Sequence, residues 1–152
     1  MVNATHGAGS IAALTLVGAD NLTGKVLLDV ANALDFSAGM PPSLLVPDTE
    51  SLAEQIQRAF PGARVVTSLN TMGAPVMAFP DRVAGGEHSV FLSGNDDDAK
   101  KVVTGLLESL GHTDVIDLGD ITTARGPEMY LPLWLRLWGA VGTGMFNIKV
   151  VR

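Results

Sequence analysis

A glycine-rich segment near the start of the chain has the residue types that hold a phosphate. Gly7–Ala12 (GAGSIA) matches the pattern G-x-G-x-x-A, and Asp29 lies twenty residues beyond Gly9. In dinucleotide-binding proteins such glycines let the backbone approach a pyrophosphate, and the acidic residue binds a ribose hydroxyl. Only Met1–Thr5 precede the glycines, which is too short for a central first strand. The segment is therefore either a dinucleotide site or a turn of small residues between a strand and a helix.

The three histidines give little support for metal binding or for hydrolysis. No pair among His6, His88 and His112 has the spacing of a helical metal site, and the sequence has no G-x-S-x-G motif. His88 begins a predicted strand and His112 follows a glycine that ends a helix, so we expect both at exposed ends of elements. His6 follows a strand, where α/β sheets bind ligands, and it stays a candidate. The three carboxylates at 96–98 favour the start of a helix over a metal ion.

Two polar segments that follow apolar runs are better candidates for a ligand site. Asp29–Asn32 comes after one such run, and Ser68–Gly73 comes after another. The carboxyl ends of parallel strands meet at one edge of a sheet, so both segments should emerge there. Turn formation by asparagine and glycine would explain either segment alone. Two of them at one edge favour a ligand crevice.

Apolar runs that alternate with helical patterns predict a mostly parallel sheet with helices on both faces. The expected strands are Val2–Ala4, Val26–Val30, Arg64–Ser68, Ser89–Leu92 with its flanks, and Val115–Leu118. Two apolar stripes with helical spacing lie between them, at Leu52–Phe60 and Val102–Leu110. Thr49 or Ser51 could cap the first helix, and Gly111 could end the second.

Two segments differ from this alternation. Asp35–Pro47 has turn residues and no periodicity, and a loop of this length inside a domain indicates function. Thr122 and Thr123 could cap a helix that Pro132 should kink. From Met129 to Val141 that helix is apolar on nearly every side, so it should be buried in the core or against another subunit. We expect a two-fold homodimer formed partly by this helix, the alternative being burial within one subunit.

The composition limits the class of protein. The 152 residues include 10 basic and 16 acidic side chains, giving a net charge of −6, and the mean hydropathy is +0.30. Such an acidic chain is unsuited to a nucleic acid or an anionic membrane as partner, and no apolar run approaches the length of a membrane span. The lack of cysteine excludes disulfides and thiolate metal sites. We expect one cytoplasmic domain over residues 1–152.

Motifs along almost the whole chain resemble those of one family. They are KVLLDVAN at 25–32 with Leu34-Asp35-Phe36, GMPP at 39–42, EQIQRAFP at 54–61, Ser68–Met72, DLGDITTARG at 117–126, Glu128–Leu137 and FNIKVVR at 146–152. Together they resemble the NADPH-dependent coenzyme F420 reductases and their dinucleotide-binding relatives. The resemblance implies a Rossmann-like, three-layer α/β fold with a mostly parallel sheet and an apolar C-terminal helix.

The resemblance begins inside the family's pattern. Family members open with a strand, a G-x-G-x-x-G turn and a second strand, whereas Met1–Thr5 resembles the end of their fourth strand. On this alignment Gly7–Ala12 is the turn that follows the fourth strand. We therefore expect the C-terminal part of a Rossmann-like oxidoreductase, truncated at the N-terminus and lacking the dinucleotide fingerprint. Binding of NADP by this chain alone should be weak or absent.

The resemblance also implies the cofactors, NADP and coenzyme F420, and the residues that would bind them. Ala4, Thr5, His6 and Asn32 would line the nicotinamide side, Asn70, Thr71 and Met72 would contact both rings, and Gly144, Met145 and Phe146 would close over the deazaflavin. The two cofactors would exchange a hydride, so the protein aligns the rings and excludes water, with no catalytic side chain and no metal. Ala33 departs from the family's usual proline, and Gly73-Ala74-Pro75 departs from Asn-Ala-Ala. The alternative is a non-catalytic α/β remnant that forms an oligomer.

Overall fold

The computed structural model describes residues 1–46 and 49–152. Its central sheet has five strands in the order β1-β2-β5-β6-β7. They are β1 (Val2–Asn3), β2 (Val26–Asp29), β5 (Arg64–Ser68), β6 (Ser89–Gly94) and β7 (Asp114–Asp117). Each of the five predicted strands is confirmed close to its expected bounds. β3 (Leu34–Asp35) and β4 (Ser43–Leu44) form a separate antiparallel hairpin.

Seven α-helices accompany the strands among the described residues. They are α1 (Ser10–Val17), α2 (Ala19–Leu22), α3 (Leu52–Ala59), α4 (Ala74–Ala78), α5 (Asp97–Ser109), α6 (Arg125–Met129) and α7 (Leu131–Val141). Short 3₁₀ turns lie at Gly7–Gly9, Pro80–Arg82, Ala84–Gly86 and Ile121–Ala124.

The core consists of two apolar clusters, one on each face of the sheet. Neighbouring strand residues point to opposite faces, so Leu27 packs with α1 and α3, while Leu28 packs with α4 and α5. Both faces of β2 and β5 are covered, which is why these strands are apolar without alternation. The expected three-layer α/β fold is confirmed.

Strand direction reverses in the middle of the sheet. β1, β2 and β5 are parallel, β6 is antiparallel to β5, and β7 is parallel to β6. The sheet is therefore mostly parallel, as predicted. The carboxyl ends of β1, β2 and β5 lie at the same edge as the amino ends of β6 and β7. We call this edge the site edge, because the polar segments after β2 and β5 emerge there.

The ends of two helices follow the predicted chemistry. Ser51, and not Thr49, caps α3: its Oγ accepts from the Glu54 amide at 3.1 Å. Gly111 follows α5 with a φ of 100°, a conformation that favours glycine. The apolar stripe predicted on α5 is only partly buried. Val103 and Leu107 lie in the core, whereas the other members of the stripe, Val102, Leu106 and Leu110, are exposed.

The long C-terminal helix is divided in two. Tyr130 separates α6 from α7, and Pro132 lies in the first turn of α7, where its missing amide breaks no hydrogen bond. The preceding turn is capped by Asp120, whose Oδ1 accepts from the Thr122 amide at 2.9 Å, so the predicted caps at Thr122 and Thr123 were wrong. Within α7 only Leu131 is buried. The other large apolar residues of α7 are half-buried (Trp134, Leu135 and Leu137) or exposed (Leu133, Trp138 and Val141). Burial within one subunit therefore accounts for only part of the composition of this helix, and assembly through it stays a prediction.

Two other predictions need correction. His88 and His112 are 3% and 2% exposed, so the expectation of exposed element ends was wrong. Asp35–Pro47 is not wholly irregular, because Asp35 and Ser43 belong to the hairpin; Pro47 lies outside the described residues. No helix among residues 1–46 and 49–152 is long and apolar enough to cross a bilayer.

Candidate functional site

An open cleft of about 340 Å³ lies at the site edge, above β1 and β2. It is lined by Ala4, Thr5, His6 and Asn32, together with Val30, Ala31, Leu34, Phe36, Ala74 and Met77. The ring of His6 lies 5.9 Å from that of Phe36, measured between centroids. The structure thus brings together all four residues expected on the nicotinamide side.

A buried polar network fixes the wall of this cleft that contains Thr5. The Asn3 amide donates to Asp29 Oδ1 at 2.7 Å and to Ser10 Oγ at 3.0 Å. Thr5 Oγ1 in turn donates to Asn3 Oδ1 at 2.8 Å. Each group orients the next, so the position of Thr5 depends on the buried Asp29. Sequence reasoning missed this role of Asn3.

Asp29 and Gly7 do not form a dinucleotide fingerprint. Asp29 is fully buried, and this burial raises the pKa of its carboxyl to about 6. It therefore presents no carboxylate to a ribose. Gly7 is needed for close packing instead, since a Cβ atom there would lie 2.3 Å from the carbonyl oxygen of Asn32. Gly7–Gly9 is the turn of small residues that the sequence offered as the alternative.

The loop after β5 places buried polar atoms without partners beside Asn32, which lines the cleft. Asn32 Nδ2 donates to the Asn70 carbonyl at 2.9 Å, which leaves Asn32 Oδ1 as a buried acceptor without a partner. Asn70 Nδ2 and Thr71 Oγ1 are also buried and unpartnered. Buried polar groups are nearly always hydrogen-bonded, so three such atoms on two adjoining loops indicate a place for a polar ligand.

Thr71 lines a second, mostly apolar cavity of about 220 Å³. The other lining residues are Phe91, Leu118, Gly126, Pro127, Tyr130 and Ile148. The Tyr130 hydroxyl has no hydrogen-bond partner, and its burial raises the pKa of the phenol. The loop after β5 therefore borders this second cavity, while Ala74, the residue directly after the loop, lines the first cleft.

The predicted deazaflavin segment lies against the same loop. A Cβ atom on Gly73 would lie 3.2 Å from the Gly144 carbonyl oxygen, which shows how closely the two backbones approach. Met145 packs against the core cluster that contains Met72. Phe146 stacks on Trp134 with 5.3 Å between ring centroids and 26° between ring planes. The structure thus joins Gly144–Phe146 to the residues expected to contact both rings.

Sequence reasoning missed three members of this region. Trp134 belongs to the helix expected at an interface, and it also forms the surface on which Phe146 stacks. The buried His88 and the half-buried Asn147 form a hydrogen-bonded pair at the amino end of β6. Because β6 is reversed, His88 lies at the site edge, and no local sequence pattern encodes that reversal. Across the described part of the chain, no group of three histidine, aspartate or glutamate side chains is arranged to hold a metal.

Comparison with solved structures identifies the family. A crystal structure from Arthrobacter sp. FB24, determined at 1.70 Å, superposes on the chain with a TM-score of 0.98 and 67% sequence identity. The match covers 99% of this chain and 69% of that one, which is assigned as an F420-dependent NADP reductase. The chain belongs to the F420-dependent NADP reductase family.

More distant relatives are consistent with this membership. The F420-dependent NADP reductase of Methanocaldococcus jannaschii is 28% identical over 130 residues, which are 83% of this chain and 57% of the relative. The chain thus spans little more than half the length of that reductase. A rat metalloreductase is 29% identical over 120 residues, 76% of this chain and 22% of its own length. No family model matches the sequence.

Proposed function

We propose that this member of the F420-dependent NADP reductase family aligns the nicotinamide of NADP with the deazaflavin of coenzyme F420 along its site edge. The observation that carries the proposal is the set of buried, unpartnered polar atoms on two adjoining loops: Asn32 Oδ1, Asn70 Nδ2 and Thr71 Oγ1. A planar ring with amide groups has the donors and acceptors that these atoms lack. When bound, the two cofactors supply the chemistry of hydride transfer.

Asn32 is suited to orient the nicotinamide carboxamide. Its Nδ2 is fixed by the Asn70 carbonyl, so its Oδ1 can only accept, and a carboxamide N–H is the matching donor. Thr5 and His6 line the same cleft, with Thr5 fixed by Asn3. These side chains bind and orient a ring without exchanging protons with it.

The aromatic wall formed by Trp134 and Phe146 is suited to exclude water from the second ring. Phe146 and Met145 are half-buried against Trp134 and the core cluster of Met72. Hydride transfer needs two ring carbons in close contact with no water between them. Alignment and exclusion of water are therefore the tasks that we propose for this chain.

Substitution of Asn70 tests the proposal. The chain is given oxidised F420 and a large excess of NADPH, and the loss of the deazaflavin absorbance is followed. Asn70→Leu removes the unpartnered donor but keeps the backbone carbonyl that holds Asn32, and it should lower kcat/KM about tenfold or more. Asn21→Leu, at an exposed asparagine of α2, is the matched control and should leave kcat/KM unchanged. Equal kcat/KM in Asn70→Leu and the unaltered chain would overturn the proposal.

A second candidate is a non-catalytic α/β protein that binds dinucleotide weakly. The burial of Asp29 and the packing of Gly7 on Asn32 favour it, because neither group can meet a ribose or a pyrophosphate. Titration calorimetry with NADPH should then give a dissociation constant weaker than micromolar for these 152 residues alone. Tighter binding would restore Gly7–Ala12 as a dinucleotide site. Weak binding with no turnover at excess NADPH would favour this second candidate.

We also propose that two copies of the chain associate through α7. Leu133, Trp138 and Val141 are 55%, 43% and 58% exposed, an apolar surface that a second copy would cover. The cytoplasmic location inferred from composition stays a prediction.

A further inference from the structure

A hydrogen-bonded cluster around the buried His88 lies at the amino end of β6. Asn147 Nδ2 is 2.8 Å from His88 Nδ1 and 3.1 Å from the Ser89 carbonyl oxygen. The same amide nitrogen is 3.9 Å from the sulfur of Met72. His88 is 3% exposed. One side chain from the C-terminal segment therefore contacts both the start of β6 and the loop proposed to contact both rings.

The tautomer of His88 is set by its surroundings. His88 Nε2 lies 3.0 Å from the Pro80 carbonyl oxygen, which can only accept, so Nε2 carries the proton. Nδ1 then has a free lone pair and accepts from Asn147 Nδ2. His112 lies beside it, with 6.0 Å between ring centroids, and its Nε2 is 3.0 Å from the Met77 carbonyl oxygen. His88 thus holds the chain that follows α4, and His112 holds Met77 within α4. Met77 lines the cleft at the site edge.

Asn147 is the first residue after α7 whose side chain hydrogen-bonds to β6. Beyond it, the Ser89 amide donates to the Ile148 carbonyl at 2.9 Å, and Lys149 and Arg152 each pair with Asp114 at 2.8 Å. These later contacts would persist without the Asn147 side chain. Its loss should therefore free Gly144–Phe146 without detaching the rest of the C-terminal segment.

We propose that Asn147, held by His88, is a positioning residue that fixes Met145 and Phe146 beside Met72 and Trp134, and so completes the wall for the planar ring of F420. The inference rests on the proposed function for the identity of the ring. In this inference Asn147 and His88 determine the position of the aromatic wall without contacting the ring themselves. Phe146 is adjacent to Asn147 in the chain, so a shift of Asn147 must move the aromatic stack on Trp134.

Two substitutions of His88 distinguish the role of Nδ1 as an acceptor from that of Nε2 as a donor. His88→Asn places an amide oxygen near the position of Nδ1 and keeps an acceptor for Asn147, while it loses the donor to Pro80. His88→Gln places its amide near the position of Nε2, keeps a donor to Pro80 and loses the acceptor. Asn147→Leu removes the partner amide with little change of volume. Lys149→Met, which breaks an exposed ion pair farther along the segment, is the control.

The first measurement needs no cofactor. The chain has two tryptophans, Trp134 and Trp138, and Phe146 stacks on the first, so tryptophan fluorescence reports the position of the loop. Asn147→Leu and His88→Gln should shift the emission, whereas His88→Asn and Lys149→Met should match the unaltered chain. Far-UV circular dichroism identifies any variant that fails to fold. Identical emission from all folded variants, or equal shifts from both His88 variants, would overturn the proposal.

The second measurement is the KM for each cofactor. Loss of this hydrogen bond should raise the KM for F420 about fivefold to tenfold in Asn147→Leu and His88→Gln, and leave the KM for NADPH unchanged. Equal increases for both cofactors would indicate a merely structural role and overturn the positioning role. If the unaltered chain binds no F420, the proposed function fails, and the ligand part of this inference fails with it. If the unaltered chain binds F420 and Asn147→Leu binds it equally well, only this inference fails.

Discussion

The cleft at the site edge depends on close contact between the backbone at Gly7 and the loop after β2. A Cβ atom on residue 7 would lie 2.3 Å from the Asn32 carbonyl oxygen and 2.7 Å from the Ala33 Cα atom. Both are backbone atoms, so no change of rotamer can relieve the contact. Gly7→Ala should therefore push the two loops of the cleft apart and lower the free energy of unfolding by about 2 kcal/mol or more.

Gly9→Ala is the matched substitution in the same turn. A Cβ atom on Gly9 meets nothing within 4 Å, and its φ of −97° suits alanine. We expect no loss of stability, or a gain of about 0.5 kcal/mol from the stiffer unfolded chain. Urea unfolding of the three proteins, followed by far-UV circular dichroism, measures both effects. A Gly7→Ala protein as stable as the Gly9→Ala protein would contradict the close contact.

Asp29 should make the stability of the protein depend on pH. Burial raises the pKa of its carboxyl from 3.8 to about 6, so the folded state binds the proton more tightly than the unfolded chain does. The contribution of Asp29 to the free energy of unfolding is complete below about pH 4 and is lost as the pH rises through about 6. The shift corresponds to about 3 kcal/mol. Asp29→Asn, which cannot ionise, should therefore gain stability over the unaltered chain as the pH rises.

The difference in the free energy of unfolding between these two proteins removes the contribution of titrating groups that do not interact with Asp29. Burial lowers the pKa of His112, so the titration of His112 makes the protein more stable as the pH rises, opposite to the effect of Asp29. This contribution is the same in both proteins and cancels in the difference. Burial also raises the pKa of Glu128 to about 7, and the charge of Asp29 adds to this shift. Asp29→Asn removes that charge, so part of the contribution of Glu128 enters the difference between the two proteins. Urea unfolding at several values between about pH 4 and pH 8 measures the difference. A difference that does not change with pH would refute the assignment of a buried, titrating Asp29.

At the scale of elements, the amino end of α3 is held from two directions. Ser51 Oγ accepts from the Glu54 amide, and the buried Glu128 carboxyl accepts from the Leu52 amide at 2.9 Å. Ser51 is fully buried, so no water can replace its hydroxyl. Ser51→Ala should lower the free energy of unfolding by about 1–2 kcal/mol. Ser109→Ala, at an exposed serine near the end of α5, should change it by less than about 0.5 kcal/mol in the same thermal unfolding experiment. Equal effects would mean that Ser51 is not an effective cap.

The elements themselves could be predicted because their signals are local. The runs at 26–29 and 64–68 are apolar and β-branched, and Ser51 and Gly111 mark helix ends by their own chemistry. The hairpin of β3 and β4 was missed, since two residues on each strand give no periodicity. The reversal of β6 was also missed, because hydrophobicity has the same pattern in either direction. His88 was expected at an exposed end because it begins a strand, whereas it is buried against Asn147 and His112.

At the scale of the whole molecule, the site joins segments far apart in the sequence. The convergence of the segments after β2 and β5 could be predicted from strand order alone, and the bond from Asn32 to Asn70 agrees with it. The approach of Gly144–Phe146 could not, because it depends on the path of the chain after α7. That segment was found only through its resemblance to a family. The spacing of Trp134 and Phe146 along the sequence gives no indication that their rings stack.

Assembly is the remaining property of the whole molecule, and α7 should decide it. Its exposed apolar residues favour association over solvation, since burying each large side chain is worth about 1.5–3 kcal/mol. We expect sedimentation at micromolar concentration to show a dimer, which Trp138→Glu should dissociate into folded monomers by placing charges in the interface. Leu16→Glu is the control, because Leu16 is 89% exposed on α1, away from α7. A monomeric unaltered chain would refute this assembly, and dissociation by Leu16→Glu alone would move the interface to α1.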